Sequence, residues 1–172
     1  MIDTAEFQLF KMHRDHRRLL QAARFSRADS DDPTKELAGF AEHQAAARLR
    51  AMGYHVVRRG YNARFDLWVN GARVEVKASS WSSGRYQAHL RNHEADIVLW
   101  AVLTPQGDLV WYVVPQWALE GRANVAIWSQ DPARYTGQWG EYENAWWWLD
   151  AACQRASHTA GDQMLLLKEV EL

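Results

Sequence analysis

The spacing of apolar residues changes period near residue 53 of this 172-residue chain. Before that point Leu37, Ala41, Ala45, Leu49 and Met52 recur at steps of four and three, the repeat of one helix face. Pro33 and Thr34 suit the start of such a helix and Gly53 its end, so the pattern predicts a helix over about 35–52. Residues 4–25 predict an earlier amphipathic helix carrying the basic cluster His13–Arg18, and Asp29–Pro33 reads as a linker. After Gly53 the period becomes two, and short strands are expected at Tyr54–Arg59, Arg64–Val69 and Ala72–Ala78. The unbroken apolar run Ile97–Leu103 suits a central strand buried on both faces. A turn at Gln106–Gly107 leads to a strand over Leu109–Val114, and Gln116–Glu120 suits one helical turn. The polar stretch Ser79–Glu94 reads as loop then helix. Beyond Ala123 the pattern weakens, leaving a helix at Ala145–Arg155 and a strand or helix at Met164–Val170.

This order of elements predicts an α/β fold, a central mixed sheet of about five strands flanked by helices. The expected division is an N-terminal helical arm over 1–30 and one domain over 31–172 with a Trp-rich C-terminal extension. The composition, 48% hydrophobic and 24% charged, is that of a globular chain and excludes disordered, collagenous and coiled-coil classes. The longest apolar run has seven residues where a membrane helix needs about 20. Met1–Phe10 carries Asp3 and Glu6 and has no apolar stretch of the secretory type. The single cysteine, Cys153, excludes an internal disulfide and a Cys-based zinc cluster, and a reducing, cytoplasmic setting is expected.

Net charge is only −1, but its distribution is uneven. Residues 1–100 hold 16 Lys+Arg against 12 Asp+Glu, and the remainder 4 against 9. Between His43 and His93 stand nine basic residues and only two carboxylates, Asp66 and Glu75. A basic surface of this kind suits a polyanionic partner or, with no function, a solvated charged face.

Those two carboxylates lie on a hairpin. Asn70-Gly71 is a strong signal for a two-residue type I′ turn, which sets Val69 against Ala72, Trp68 against Arg73, Leu67 against Val74 and Asp66 against Glu75. Alternation then puts Phe65, Leu67, Val69, Ala72, Val74 and Val76 on one apolar face. Arg64, Asp66, Trp68, Arg73, Glu75 and Lys77 share the other. Like charges directly opposed on a sheet are destabilising. A divalent cation between them relieves the repulsion, and Mg²⁺ is suited to carboxylate oxygens. Lys77 then stands where it can serve a metal-bound water or a developing charge. Ion pairing with Arg64, Arg73 and Lys77 is the alternative that these residues leave open.

Asp66, an eight-residue gap, then Glu75-Val76-Lys77 resembles the PD-(D/E)xK nuclease superfamily and its restriction-endonuclease-like fold. The order helix with Glu, strand, hairpin, helix, buried strand is similar as well. The segment Glu42–Tyr54 resembles the helix before the sheet in the homing-endonuclease-like and junction-resolvase-like branches. The resemblance covers about residues 35–115. Phe65 stands where many members have Pro before the Asp, and Ala41 where the Gly before the helix Glu is usual. The resemblance implies a metal-dependent DNA endonuclease in which Asp66, Glu75 and the backbone carbonyl of Val76 bind Mg²⁺, with Mn²⁺ as a substitute. It implies that Lys77 serves the attacking water and that Glu42 holds a second metal or a metal-bound water.

Arg64, Arg73, Ser79, Ser80, Arg85 and Gln87 surround this motif and are expected DNA contacts. His89 and His93 have the spacing of zinc ligands on a helix, but no third ligand has suitable spacing. Trp146-Trp147-Trp148 reads as core or dimer interface, and Trp81 is the better candidate for stacking on a base. One such site cuts one strand, so a homodimer or larger symmetric assembly is expected. Two other readings stay open: a DNA-binding module of the same fold that does not cut, and a structural or interaction protein.

Overall fold

A computed structural model describes residues 33–59, 63–90, 94–104 and 107–170. The expected N-terminal arm, the linker and His93 lie outside the described residues. Helix α1 spans Pro33–Ala51, close to the predicted bounds, and Gly53 follows it in the left-handed conformation at φ 93°. The strands that follow are β1 (Val56–Arg58), β2 (Leu67–Val69), β3 (Ala72–Ser80), β4 (Tyr86–His89), β5 (Ile97–Leu103), β6 (Leu109–Pro115) and β7 (Asn124–Ile127). A turn of 3₁₀ helix occupies Gln116–Leu119, where one helical turn was expected. Helix α2 spans Trp147–Val170 without a break, so Met164–Val170 continues the helix rather than forming a separate element.

Five strands make the central sheet in the order β1-β2-β3-β5-β6. The β3–β5 pair is parallel and the other three are antiparallel, which is the expected mixed sheet. β5 sits inside the sheet and feeds both cores. Ile97, Leu99 and Ala101 join the core under α1 and α2, with Phe40, Leu49, Trp111 and Leu149. Val98, Trp100 and Val102 join a second core with Tyr86, Tyr112, Ile127 and Trp139. That two-sided demand explains why the run lacks polar positions. The second core is roofed by the two-stranded antiparallel pair β4–β7.

One expectation fails here. The helix predicted within Ser79–Glu94 does not form in its described part, since β3 runs on to Ser80 and the chain doubles back into β4. The reversal is another two-residue hairpin turn: Ser83 and Gly84 both take positive φ (51° and 79°), and Ser82 and Arg85 exchange backbone hydrogen bonds. His89 is therefore a strand residue and presents no helical zinc face. β7, in the stretch where the pattern weakened, was not predicted.

The outer edge of β6 is covered. Glu143 bridges to Tyr112, and the Asn144 N–H donates to the Trp111 carbonyl at 2.8 Å, with Asn144 at φ 49°.

Candidate active site

The hairpin turn forms as its sequence dictates. Asn70 and Gly71 both have positive φ (44° and 90°), and the pairs Val69–Ala72, Trp68–Arg73 and Leu67–Val74 match the expected register. Leu67, Val69, Ala72, Val74 and Val76 all enter the core beneath α1 and α2.

The ladder then stops one pair short of the expected Asp66–Glu75 pairing. Residues 64–66 bend away, and β2 begins only at Leu67. Phe65 consequently leaves the apolar face, its ring 5.4 Å from that of Trp68 and 5.7 Å from the Arg59 guanidinium. Asp66 keeps one ladder contact, its N–H donating to the Val74 carbonyl at 3.0 Å. Its carboxylate Oδ2 accepts the N–H of Val76 at 2.7 Å. Along β3 the residues that bond toward β2 alternate with those that bond toward β5. Val76 points its N–H toward the space β2 has vacated, and the Asp66 side chain supplies the missing acceptor. The correction thus has a physical reason: the carboxylate does not oppose Glu75 across a ladder but lies against the Glu75–Val76 peptide, where the two strands part.

Glu75 and Lys77 share a face of β3, and the Lys77 ammonium pairs with Glu75 Oε1. The Glu75 side chain keeps only 12% of its exposure and Lys77 27%, so this pair is less screened than a surface one. Glu42 lies on the buried side of α1, with Oε2 3.4 Å from Arg58 Nη2. Arg58 stands opposite Leu67, which links Glu42 to the strand that leads into Asp66. Among the described residues, no group of three or more His, Cys, Asp or Glu side chains is placed to hold one metal ion. A three-acid set of Glu42, Asp66 and Glu75 is therefore not assembled. Asp66 and Glu75 still fit an oxygen-seeking cation, because Mg²⁺ typically takes one or two protein carboxylates and fills its remaining positions with water and phosphate.

The expected DNA contacts divide. Ser79 is buried, and its Oγ accepts the Trp100 indole N–H at 2.8 Å, so it braces the second core and is closed to phosphate. Arg73 is held by Asp96: its backbone N–H donates to Oδ2 at 2.8 Å, and its guanidinium reaches Oδ2 at 3.2 Å and Oδ1 at 2.8 Å. Burial pushes the Asp96 carboxyl up, but the Arg73 hydrogen bonds outweigh it and hold the group below the ordinary carboxylate range. Arg64 pairs with Glu94 and is largely exposed, and Ser80 is exposed at the end of β3. Arg85 and Gln87 stand on or beside β4. Arg85 Nε donates to Gln87 Oε1 at 2.7 Å, and its guanidinium lies 4.8 Å from the centre of the Trp128 ring. Trp81 packs edge-on against Tyr86, with ring centroids 5.0 Å apart. Sequence reasoning missed Asp96, Arg58 and Trp128. Only the Asp96–Arg73 pair had a usable signal, an acid immediately before the buried strand that neighbours the hairpin.

The fold is α/β, with both helices packed on one face of a mixed five-stranded sheet and a small second sheet on the other. A solved structure of a bacterial homing endonuclease, I-Ssp6803I, is similar to it, with a TM-score of 0.57 at 20% sequence identity. The similarity covers 75% of this chain and 97% of that one. No protein-family profile matches the chain, and no curated protein matches it by sequence.

Proposed function

We propose that this chain is a metal-dependent DNA endonuclease working by PD-(D/E)xK chemistry. The observation that carries the reading is the Asp66 carboxylate seated on the Val76 N–H, beside Glu75 and Lys77, where β2 parts from β3. Similarity in fold to a homing endonuclease supports it, as does the basic window around the hairpin.

In this reading Asp66, Glu75 and the Val76 carbonyl hold Mg²⁺, or Mn²⁺ in its place. When bound, the ion supplies Lewis-acid stabilisation and an acidified water. The Val76 N–H fixes the Asp66 carboxylate in orientation. With Glu75 engaged by the ion, Lys77 would be the cation available to offset the charge that grows on the phosphate during attack. Glu42 would reach a second ion or a bound water only by leaving Arg58. Arg64 and Ser80, both exposed, would contact phosphates in this reading. A pair of chains, each cutting one strand, is the natural form for double-strand cleavage.

A DNA-binding module that does not cut is the second reading, favoured by the missing third acid. Nicking of supercoiled plasmid with and without Mg²⁺, for the parent chain and Lys77→Ala, separates the two. The nuclease reading requires Mg²⁺-dependent nicking by the parent and its loss in the variant. Equal nicking by both chains would show that the activity does not come from this site. DNA retention in EDTA with no nicking on adding Mg²⁺ would leave the binding module.

A further inference from the structure

The β4–β7 pair has an outward face that neither core uses. Tyr86, Ala88, Val125 and Ile127 point inward and are buried. The alternate positions face out, with Gln87 opposite Ala126 and His89 opposite Asn124. Arg85 extends the row at one end of the ribbon, clamped between Gln87 and the exposed ring of Trp128. Neither 81–90 nor 121–130 contains an Asp or Glu. An outward face kept for packing would carry apolar residues, and one kept only for solubility would mix both signs of charge. This face instead carries one cation, two amides, an imidazole, a methyl group and the exposed Trp128 ring that stacks on the cation.

We propose that the β4–β7 ribbon reads base edges in the major groove of duplex DNA. The inference rests on the DNA-endonuclease reading and deepens it. The major groove is about 12 Å wide and admits a two-stranded ribbon, whose strands lie about 4.8 Å apart. The side chains match the groups it displays. Arg pairs with guanine O6 and N7, Gln and Asn with adenine N6 and N7, and a small methyl such as that of Ala126 packs against the thymine methyl. The Trp128 ring and the Gln87 carbonyl hold the Arg85 guanidinium in one orientation before DNA arrives, which reduces the ordering needed on binding. The ribbon follows β3 after one tight turn, so a base-reading face and Lys77 are carried by one continuous segment, residues 77–89.

The test uses the full chain, with Ca²⁺ in place of Mg²⁺, on a library of randomised duplexes. The bound fraction is sequenced for the parent, Gln87→Ala, Asn124→Ala, Arg85→Lys and, as a control on the exposed side of α1, Lys35→Ala. The parent and Lys35→Ala should enrich the same motif. Each ribbon variant should lose roughly 5- to 100-fold of the preference at one or two base pairs and keep it elsewhere. Arg85→Lys retains the charge and loses the fork, so its loss should fall on a guanine. Identical motifs from parent and ribbon variants would overturn the proposal, as would a uniform drop in affinity with a smaller salt slope, the mark of phosphate contact alone. A parent that nicks plasmid in Mg²⁺ but enriches no motif would also overturn it while leaving the endonuclease reading intact. A parent that neither binds nor nicks DNA would remove both.

Discussion

The two ends of the β2–β3 hairpin are built to different rules. At the tip, the pairs Leu67–Val74, Trp68–Arg73 and Val69–Ala72 hold their register, the turn residues take the conformation their side chains favour, and the apolar side chains enter one core. At the open end the ladder is cut short by a bend. Asp66 substitutes a side chain for a backbone acceptor, and charged groups gather at the gap. The tip follows rules that act between near neighbours. The open end departs from them, and such departures concentrate where chemistry is done. The difference teaches that the regular part of the hairpin serves as a register gauge. It delivers Glu75 and Lys77 to a fixed place while leaving the chain before Leu67 free to bring in Asp66.

The largest expected effect is at the open end. Lys77→Ala should lower Mg²⁺-dependent nicking by about 100- to 1,000-fold, the usual cost of removing one group that stabilises developing charge. DNA affinity in gel shifts should change little, because binding is spread over many basic residues. At the same end, Asp66 has two jobs that separate by substitution. Asp66→Ala should abolish nicking and also lower stability by about 1–3 kcal/mol, since the Val76 N–H loses its acceptor. Asp66→Asn should abolish nicking with most of that stability kept. Equal melting temperatures for the two variants would show that the Val76 hydrogen bond has no net value.

A change at the tip should do the reverse. Gly71→Ala forces a side chain into φ 90° and brings its Cβ to 3.2 Å from that of Ala156, so about 1–2 kcal/mol should be lost. For a chain of this size each kcal/mol lowers the melting temperature by about 2–4 °C. Nicking per folded molecule should stay at the parent value. A fall in nicking larger than the loss of folded protein would mean that tip and open end are coupled.

The smallest effect is in the pH dependence of the brace behind the hairpin. The Asp96 carboxyl is held below its ordinary range, so its pairing with Arg73 adds stability above about pH 4, where the unfolded carboxyl is ionised. That contribution is lost as pH falls through the lower folded value. Asp96→Asn should flatten the acid limb of a stability-against-pH curve below about pH 4 and leave the curve between pH 6 and 8 unchanged in slope.

How far the sequence could be read follows the same division. The helix over 33–51, the buried strand at Ile97 and the three tip pairs all rest on short-range periodicity and a strong turn signal. The bend at 64–66 gave no such signal, because Phe65 fits the apolar alternation that the chain abandons there. The bend is settled by Asp66 competing for the Val76 N–H, a contact across ten residues. The Ser83-Gly84 turn had a readable dipeptide, but the polar residues around it hid the alternation of Tyr86 and Ala88. Ser79 looked like a phosphate ligand because its partner, the Trp100 indole, is 21 positions away and visible only in the folded chain.

The covered edge of β6 has a consequence for how copies of this chain can meet. An unpaired outer strand is a template on which another chain can extend the sheet. Here Glu143 and Asn144 already occupy that template, so strand-to-strand addition is blocked along the middle of β6. The opposite margin is β1, only three residues long and bearing Arg58, which is turned toward Glu42. Among the described residues, a continuous intermolecular extension of the central sheet therefore has little purchase at either margin, which leaves association between two copies to surfaces other than that sheet's edges.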